Sequence, residues 1–219
     1  MTLGVTVSDL TDSTVETVNP AVGALVRRVV DAGGRVVVGG LGGLVPHVDR
    51  AEDLAADAET AEALRDAIQR HRDETPPTPL RRAADEWDVT DVSLLWDRDP
   101  VVDVLAYGET ADHDAGVAVV ESVGGFEETA TALAAAGAQV VVHGTADGIP
   151  TGHPVVPVLK VTGDPDTAAA LADDIDVDAA AAGPDDLLDA VFATANGDLT
   201  ASEGHGLTSF AISRAGPSL

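Results

Sequence analysis

Two stretches of the chain share one plan, and together they decide the fold: Asp31-Ala-Gly-Gly-Arg-Val-Val-Val-Gly39 and Ala135-Ala-Gly-Ala-Gln-Val-Val-Val-His143. In each stretch a helical pattern stops at glycine and three valines follow, which predicts a helix that leads directly into a buried strand. Strands that are apolar on both faces are typical of parallel sheets covered by helices. The likeness does not extend beyond these stretches, so it indicates two equivalent corners of one fold and no duplication.

Outward from these corners, strand-like and helix-like segments alternate. Helices are predicted over 21–32, 51–72, 126–136, 166–172 and 184–195, and strands over 35–38, 92–95, 101–107, 117–120, 139–142, 155–161 and 175–177, with a closing apolar run over 209–212. This order predicts an α/β fold, a layered parallel sheet with helices on both faces, of Rossmann-like type. The first helix is expected to start at Asn19-Pro20, after an acidic leader, because proline is tolerated in a first turn.

The chain is interpreted as a single domain over residues 1–219. Its 219 residues, 45% of them hydrophobic, are enough for one buried core. The stretch Thr75-Pro-Pro-Thr-Pro79 forbids helix and disfavours strand pairing, so a hinge is predicted at 75–79. A small subdomain around 45–95 is the alternative arrangement.

Charge excludes whole classes of partner. Asp and Glu number 38 against 12 Lys and Arg, which gives a formal net charge of -26. Phosphate recognition needs a basic patch, so neither nucleic acid nor an anionic membrane is an expected partner. The acidic residues are spread along the chain and Lys160 is the single lysine, a pattern typical of proteins adapted to molar salt, where the Debye length falls to about 3 Å.

Cysteine is absent, so any metal must be held by His, Asp, Glu or water. The start of the chain has no basic region followed by a long apolar one, and no window reaches the ~20 apolar residues of a membrane helix. We therefore expect a cytoplasmic protein.

Ligands of parallel sheets collect where strands end, which directs attention to the loops after the valine runs. The turn Gly39–Gly43 could receive a carboxylate or phosphate on its amides, although tight turning alone explains these glycines. A nucleotide site is the weakest alternative, since the glycine fingerprint and its downstream acid are missing. The segment His143–His153 is richer, with two histidines and a carboxylate in a glycine-hinged loop. Further on, alternation places Asp174, Asp176 and Asp178 on one strand face, where they either bind a hard cation or are simply solvated.

Several short motifs then occur in one order: Thr151-Gly-His-Pro-Val-Val-Pro-Val-Leu-Lys-Val-Thr-Gly-Asp-Pro165, Asp173-Asp-Ile-Asp-Val-Asp-Ala179, Gly204-His-Gly206 and Phe210-Ala-Ile-Ser-Arg214. In sequence and order they resemble the C-terminal large domain of the altronate and galactarate dehydratases, also called altronate hydrolases. The chain is similar to a divergent member of haloarchaeal type.

The resemblance implies a hydro-lyase that dehydrates aldonic or aldaric acids with a divalent metal, iron or manganese. Carried onto this chain, it implies catalytic roles for His153, Glu121 and His205. It implies substrate contacts for a larger set on the following strands and loops: His143, Gly152, Lys160, Thr162, Asp176 and Asp178.

The chain departs from the family pattern where the metal would bind. The family's Cys- and Gly-rich lead-in is replaced by Thr6 to Thr14, and a family Ser-Glu by Gly39-Gly40. Metal ligands are therefore left unassigned. Two functions stay open: a metal-dependent sugar-acid dehydratase, and a non-catalytic sugar-acid binder or partner subunit of a complete dehydratase, whose small domain is a separate chain.

Overall fold

A seven-stranded sheet organises the computed structural model, which describes residues 1–8, 12–74, 96, 99–122, 125–183 and 185–212. The strands are β1 (Thr2–Ser8), β2 (Arg35–Gly39), β3 (Val101–Leu105), β4 (Gly116–Val120), β5 (Val140–Thr145), β6 (Val158–Thr162) and β7 (Val177–Asp178). Their spatial order is β3-β4-β2-β1-β5-β6-β7, and every neighbouring pair is parallel. The predicted parallel α/β sheet is confirmed.

Helices cover both faces of this sheet. They are α1 (Asp12–Asp31), α2 (Ala51–Leu54), α3 (Ala58–Glu74), α4 (Phe126–Ala135), α5 (Pro165–Ala170), α6 (Asp186–Ala195) and α7 (Ala201–His205), with a 3-10 segment over Leu41–Arg50. One core joins α1, α3 and α6 to one face through residues such as Val22, Leu64 and Val191. A second core packs α4 on the other face through Leu133. Within the described parts of the chain, no helix has both the length and the apolar character to cross a membrane.

The two valine runs form β2 and β5, the strands on either side of β1. At each corner the helix ends at a glycine in the left-handed region, Gly33 with φ 82° and Gly137 with φ 91°. A residue with a side chain would be strained at either position. This explains why both stretches have a glycine where the helix ends.

The interpretation of the first residues was wrong. Instead of an acidic leader they form β1, which is central in the sheet, with Leu3 and Val5 fully buried. Helix α1 starts at Asp12 and contains Pro20. Proline removes one helical hydrogen bond at a cost of about 3 kcal/mol. Burial of Val15 and Val18 on the added turns, worth about 1.5–3 kcal/mol each, offsets that cost.

The predicted surface helix over 51–72 is also corrected. Two helices, α2 and α3, occupy this stretch, and α3 is not only a surface element because Leu64 and Ile68 are buried. The predicted hinge at 75–79 and strand at 92–95 lie outside the described residues.

Strand boundaries shift in the second half. Strand β5 continues to Thr145, so His143 lies within a strand and not in a loop. Strand β6 begins at Val158, and Val155 is 80% exposed. The closing run 209–212 is no strand, and its Phe210 and Ile212 are exposed. Only two residues, Val177–Asp178, form β7.

Candidate functional site

The direction of the chain through the sheet reverses at β1. From β1 the chain passes to β2 on one side, whereas it later crosses from β4 to β5 on the other side. In doubly wound sheets, ligands bind in the crevice outside the carboxyl ends of the strands at such a reversal. Here those ends carry Ser8 on β1 and Thr145 on β5, which are paired in register. This edge is the candidate site.

A side-chain hydrogen bond joins the two central strands at this edge. Ser8 Oγ lies 3.2 Å from Nε2 of His143. The His143 ring is fully buried and packs against Phe126, the first residue of α4, with ring centroids 4.5 Å apart. His143 is therefore held from two sides, by a hydroxyl at the site and by an aromatic ring beneath α4.

His143 is an uncharged imidazole. Burial, with a smaller contribution from the ammonium of Lys160, lowers the pKa of His143 to about 3. Its Nδ1 has no hydrogen-bond partner among the described residues. A proton on Nδ1 would leave a buried donor unsatisfied, so we assign the proton to Nε2, which donates it to Ser8 Oγ.

Lys160 is the neighbour of His143 on the next strand. The two residues are register partners on β5 and β6, so their side chains lie on the same face of the sheet. Lys160 is fully buried, and its Nζ donates to the carbonyl oxygen of Pro150 at 2.8 Å. Burial lowers the pKa of Lys160, while the carboxylates of Asp176 and Asp174 act in the opposite direction.

Asp176 joins three segments of the fold. Its Oδ2 accepts from the backbone N–H of Lys160 and its Oδ1 from the N–H of Ala201, both at 2.7 Å. Because Lys160 belongs to β6 and Ala201 is the first residue of α7, Asp176 links the start of α7 to β6. Burial raises the pKa of Asp176, and these two backbone donors oppose the rise.

The two nitrogens of His153 are both used within the protein. Val155 N–H donates to Nδ1 at 3.3 Å, so Nε2 carries the proton and donates to Thr131 Oγ1 at 3.2 Å. Burial lowers the pKa of His153. His143 and His153 contact the same helix, α4, at Phe126 and Thr131, about 7.5 Å apart along its axis. They share no hydrogen-bond partner among the described residues.

Glu121 and His205 lie apart from this pair. Glu121 follows β4, three strand positions from β5, which corresponds to about 14 Å. Its carboxylate is paired with Arg70 of α3, with 2.5 Å between Oε1 and Nη2. His205 ends α7, is exposed, and its Nε2 lies 2.9 Å from the carbonyl oxygen of Asp173.

Three further predicted residues make local contacts. Gly152 forms an isolated parallel β-bridge with Thr208, and the atoms of Ser202 leave no room for a side chain at position 152. Thr162 Oγ1 accepts from Asp164 N–H at 3.2 Å, and Asp178 Oδ1 accepts from Ala180 N–H at 2.9 Å. The structure thus brings together His143, Lys160, Asp176 and the Gly152 loop, whereas the other predicted residues make their contacts elsewhere.

The described donors do not fit a divalent metal. No three His, Asp or Glu side chains in the described ranges converge on one point. At the candidate site His143 faces a hydroxyl and lies beside an ammonium, and both nitrogens of His153 are engaged. We derive no step through a metal.

Sequence reasoning missed Ser8, whereas Thr145 lies inside the His143–His153 segment that it singled out without giving this threonine a role. The alternation Leu3, Val5, Val7 was the available signal, because it predicts a strand whose polar positions face the other side. Recognising that strand would have placed Ser8 at a strand end.

On the opposite face of the sheet a narrow recess lies at the ends of β1, β2 and β4. Val7, Leu44 and Trp96 line it, and within the described region the buried Trp96 Nε1 has no hydrogen-bond partner. The recess is mainly apolar and shares no lining residue with the Ser8–His143 edge, so we do not include it in the candidate site.

Comparison with known families identifies the chain. Residues 96–218, more than half of the chain, match the family described as D-galactarate/Altronate dehydratase, C-terminal. No match was found among curated proteins. The matched range carries β3 to β7, and so His143, Lys160 and Asp176, whereas Ser8 precedes it. The chain belongs to the D-galactarate/altronate dehydratase family, which it matches through the C-terminal domain.

Proposed function

We propose that this chain binds an aldonic or aldaric acid at the Ser8–His143 edge and does not dehydrate it alone. Family membership supports the ligand class. The observation that carries the non-catalytic part is that the predicted acid–base residues are engaged by the protein itself. Glu121 is paired with Arg70, and both ring nitrogens of His153 are engaged, by Val155 N–H and Thr131 Oγ1.

The chemistry of dehydration explains why this matters. Removing the proton α to a carboxylate needs a base and a strong electrophile to hold the developing enolate, a contribution of several kcal/mol. A hydroxyl and a neutral imidazole can orient the hydroxyl and carboxylate groups of a sugar acid by hydrogen bonds. They supply no comparable electrophile.

Dehydration by the chain itself is the second candidate. The hydrogen bond from His143 Nε2–H to Ser8 Oγ favours it, since an imidazole and a hydroxyl joined in this way are groups that can take part in proton transfer. Iron or manganese would then require ligands from the sugar acid or from a partner chain in addition to those described here.

We include a partner chain in the proposal, a separate small dehydratase domain. Four large apolar side chains in the last described segments support it by their exposure: Phe192 50%, Leu199 72%, Phe210 59% and Ile212 63%. We also propose a cytoplasmic protein that is adapted to salt, and its net charge of -26 supports the salt adaptation.

Calorimetric titration at ~3 M KCl with galactarate, altronate and the uncharged galactitol tests the proposal. We expect both acids to bind, galactitol not to bind, and Ser8→Ala to weaken binding. Formation of the 2-oxo-3-deoxy acid, followed with and without Fe²⁺ or Mn²⁺, should be at background. Turnover near the ~10 s⁻¹ typical of enzymes, abolished by His153→Ala, would establish the second candidate. Absence of both binding and turnover would refute ligand binding by this chain.

A further inference from the structure

We propose that Lys160 is the positioning residue of the candidate site, because one ammonium both anchors the loop between β5 and β6 and sits beside the imidazole that holds Ser8. The role follows from the fold and not from contact with a ligand. Its importance for sugar-acid binding rests on the proposed function.

Composition makes this lysine exceptional. The 12 basic residues include one lysine, and it is fully buried, at 0% exposure. A lysine retained only for solubility would be on the surface. An ammonium is a compact charge with three donors and fits a confined position that the wide guanidinium of arginine does not.

The first contact controls the loop between β5 and β6. Lys160 Nζ donates to Pro150 O, near the middle of residues 146–157. Two further bonds fix the start of this loop: Thr167 Oγ1 donates to Ala146 O at 2.6 Å, and Gly148 N–H donates to Thr145 Oγ1 at 3.0 Å. Lys160 adds an anchor at Pro150, one residue before Thr151-Gly-His153, where Gly152 pairs with Thr208 and His153 is bonded to Thr131.

The second contact is with His143. The groups around the ammonium are His143 on β5, Asp174 and Asp176 before β7, and Pro150 O. A positive charge next to an imidazole disfavours a second charge on the ring. Lys160 thereby helps to keep His143 uncharged, in the form that donates from Nε2 to Ser8.

Two substitutions separate the effects. Lys160→Met removes both the charge and the donor, and Lys160→Gln removes the charge but keeps a donor. Leu159→Ala is the matched control, since it opens a cavity on the opposite face of the same strand without changing charge. NMR titration of the imidazole signals, with His143 assigned through His143→Gln, reports its pKa. Hydrogen exchange reports the protection of residues 146–153.

We expect the pKa of His143 to rise by about one unit or more in both Lys160 variants, the order given by a unit charge a few ångströms away. Loop exchange should accelerate about tenfold in Lys160→Met and less in Lys160→Gln. Leu159→Ala should leave the His143 titration unchanged. An unchanged pKa of His143 in both folded Lys160 variants, or equal changes in Leu159→Ala, would overturn the inference.

A wild-type measurement covers the case in which the variants do not fold. Because the chain has one lysine, ¹³C-lysine labelling yields a single side-chain ε signal, whose pKa we expect below 10.5. A pKa at or above that value would contradict the inference. These measurements use no sugar acid, so they decide the role of Lys160 even if galactarate does not bind.

Discussion

Ser8 Oγ of β1 lies 3.2 Å from Nε2 of His143 on β5, so a side-chain hydrogen bond closes the carboxyl edge between two strands that are 135 residues apart in the chain. Replacing Ser8 by alanine leaves a buried N–H without its partner. We expect Ser8→Ala to lower the free energy of unfolding by about 1–3 kcal/mol. Urea unfolding in molar KCl measures this change. Ser8→Thr, which keeps the hydroxyl, is the control, and an equal loss in both variants would contradict the explanation.

Acid should destabilise the protein through His143. The unfolded side chain has a pKa near 6.5 and the folded one about 3, so between these values the unfolded state binds a proton that the native state does not. The stability that neutral His143 confers is complete above pH 6.5 and is lost as pH falls toward 3, at up to about 1.4 kcal/mol per unit.

Urea midpoints of the wild type and His143→Gln at pH 7.5, 6 and 5 check this slope. The free energy of unfolding of the wild type minus that of His143→Gln should decrease as pH falls. The contributions of the remaining histidines cancel in this difference. A difference that is constant over this range would show that His143 does not stay neutral.

Gly39 is required for the close approach of α4 to β2. A Cβ at this position would lie 2.3 Å from Cγ2 of Thr129. We expect Gly39→Ala to cost about 1–3 kcal/mol by overpacking. Adding Thr129→Ser removes the clashing methyl and keeps the hydroxyl that pairs with Ser122, so it should restore most of the loss.

Gly204 offers the matched control for this substitution. It lies within α7, with open space where the Cβ of an alanine would point, and alanine there should stabilise by up to about 1 kcal/mol. Thermal melts of the variants provide the comparison. A double variant as unstable as Gly39→Ala would rule out the Thr129 methyl as the cause.

Asp176 should matter more for stability than its acidic neighbours. Asparagine would present an amide N–H₂ to one of the two backbone donors, and we expect Asp176→Asn to destabilise by about 1–3 kcal/mol. Asp174→Asn, in the same segment, should change stability by less than about 0.5 kcal/mol. Denaturant unfolding of both variants tests this, and a similar loss in the two would argue for a general effect of charge.

Salt should stabilise the fold strongly. With a net charge of -26, self-repulsion is screened as the Debye length falls from about 10 Å at 0.1 M salt to about 3 Å at 1 M. We expect the Tm to rise steadily between ~0.1 and ~3 M KCl. Sucrose, which stabilises by exclusion but does not screen charge, serves as control. A Tm insensitive to KCl, or raised equally by sucrose, would defeat the interpretation of salt adaptation.

Local pattern was sufficient for most elements of the fold. The valine runs and the glycines before them predicted β2, β5 and the preceding helices. A strand that is buried on both faces requires consecutive apolar residues, and a left-handed helix end favours glycine, so both features can be recognised from adjacent residues. The interpretation failed at β1, where the alternating Leu3, Val5 and Val7 were assigned to a leader segment, and at Pro20, which was taken as a helix start but lies inside α1.

By itself the sequence determined the parallel α/β class, the charge and the family resemblance, since each is a property of composition or of residues adjacent in the chain. Only the tertiary structure decided that Ser8, His143 and Lys160 lie side by side. Their adjacency depends on the order and register of β1, β5 and β6. Order and register join residues that are far apart in the chain, so no local stretch by itself shows which strands become neighbours.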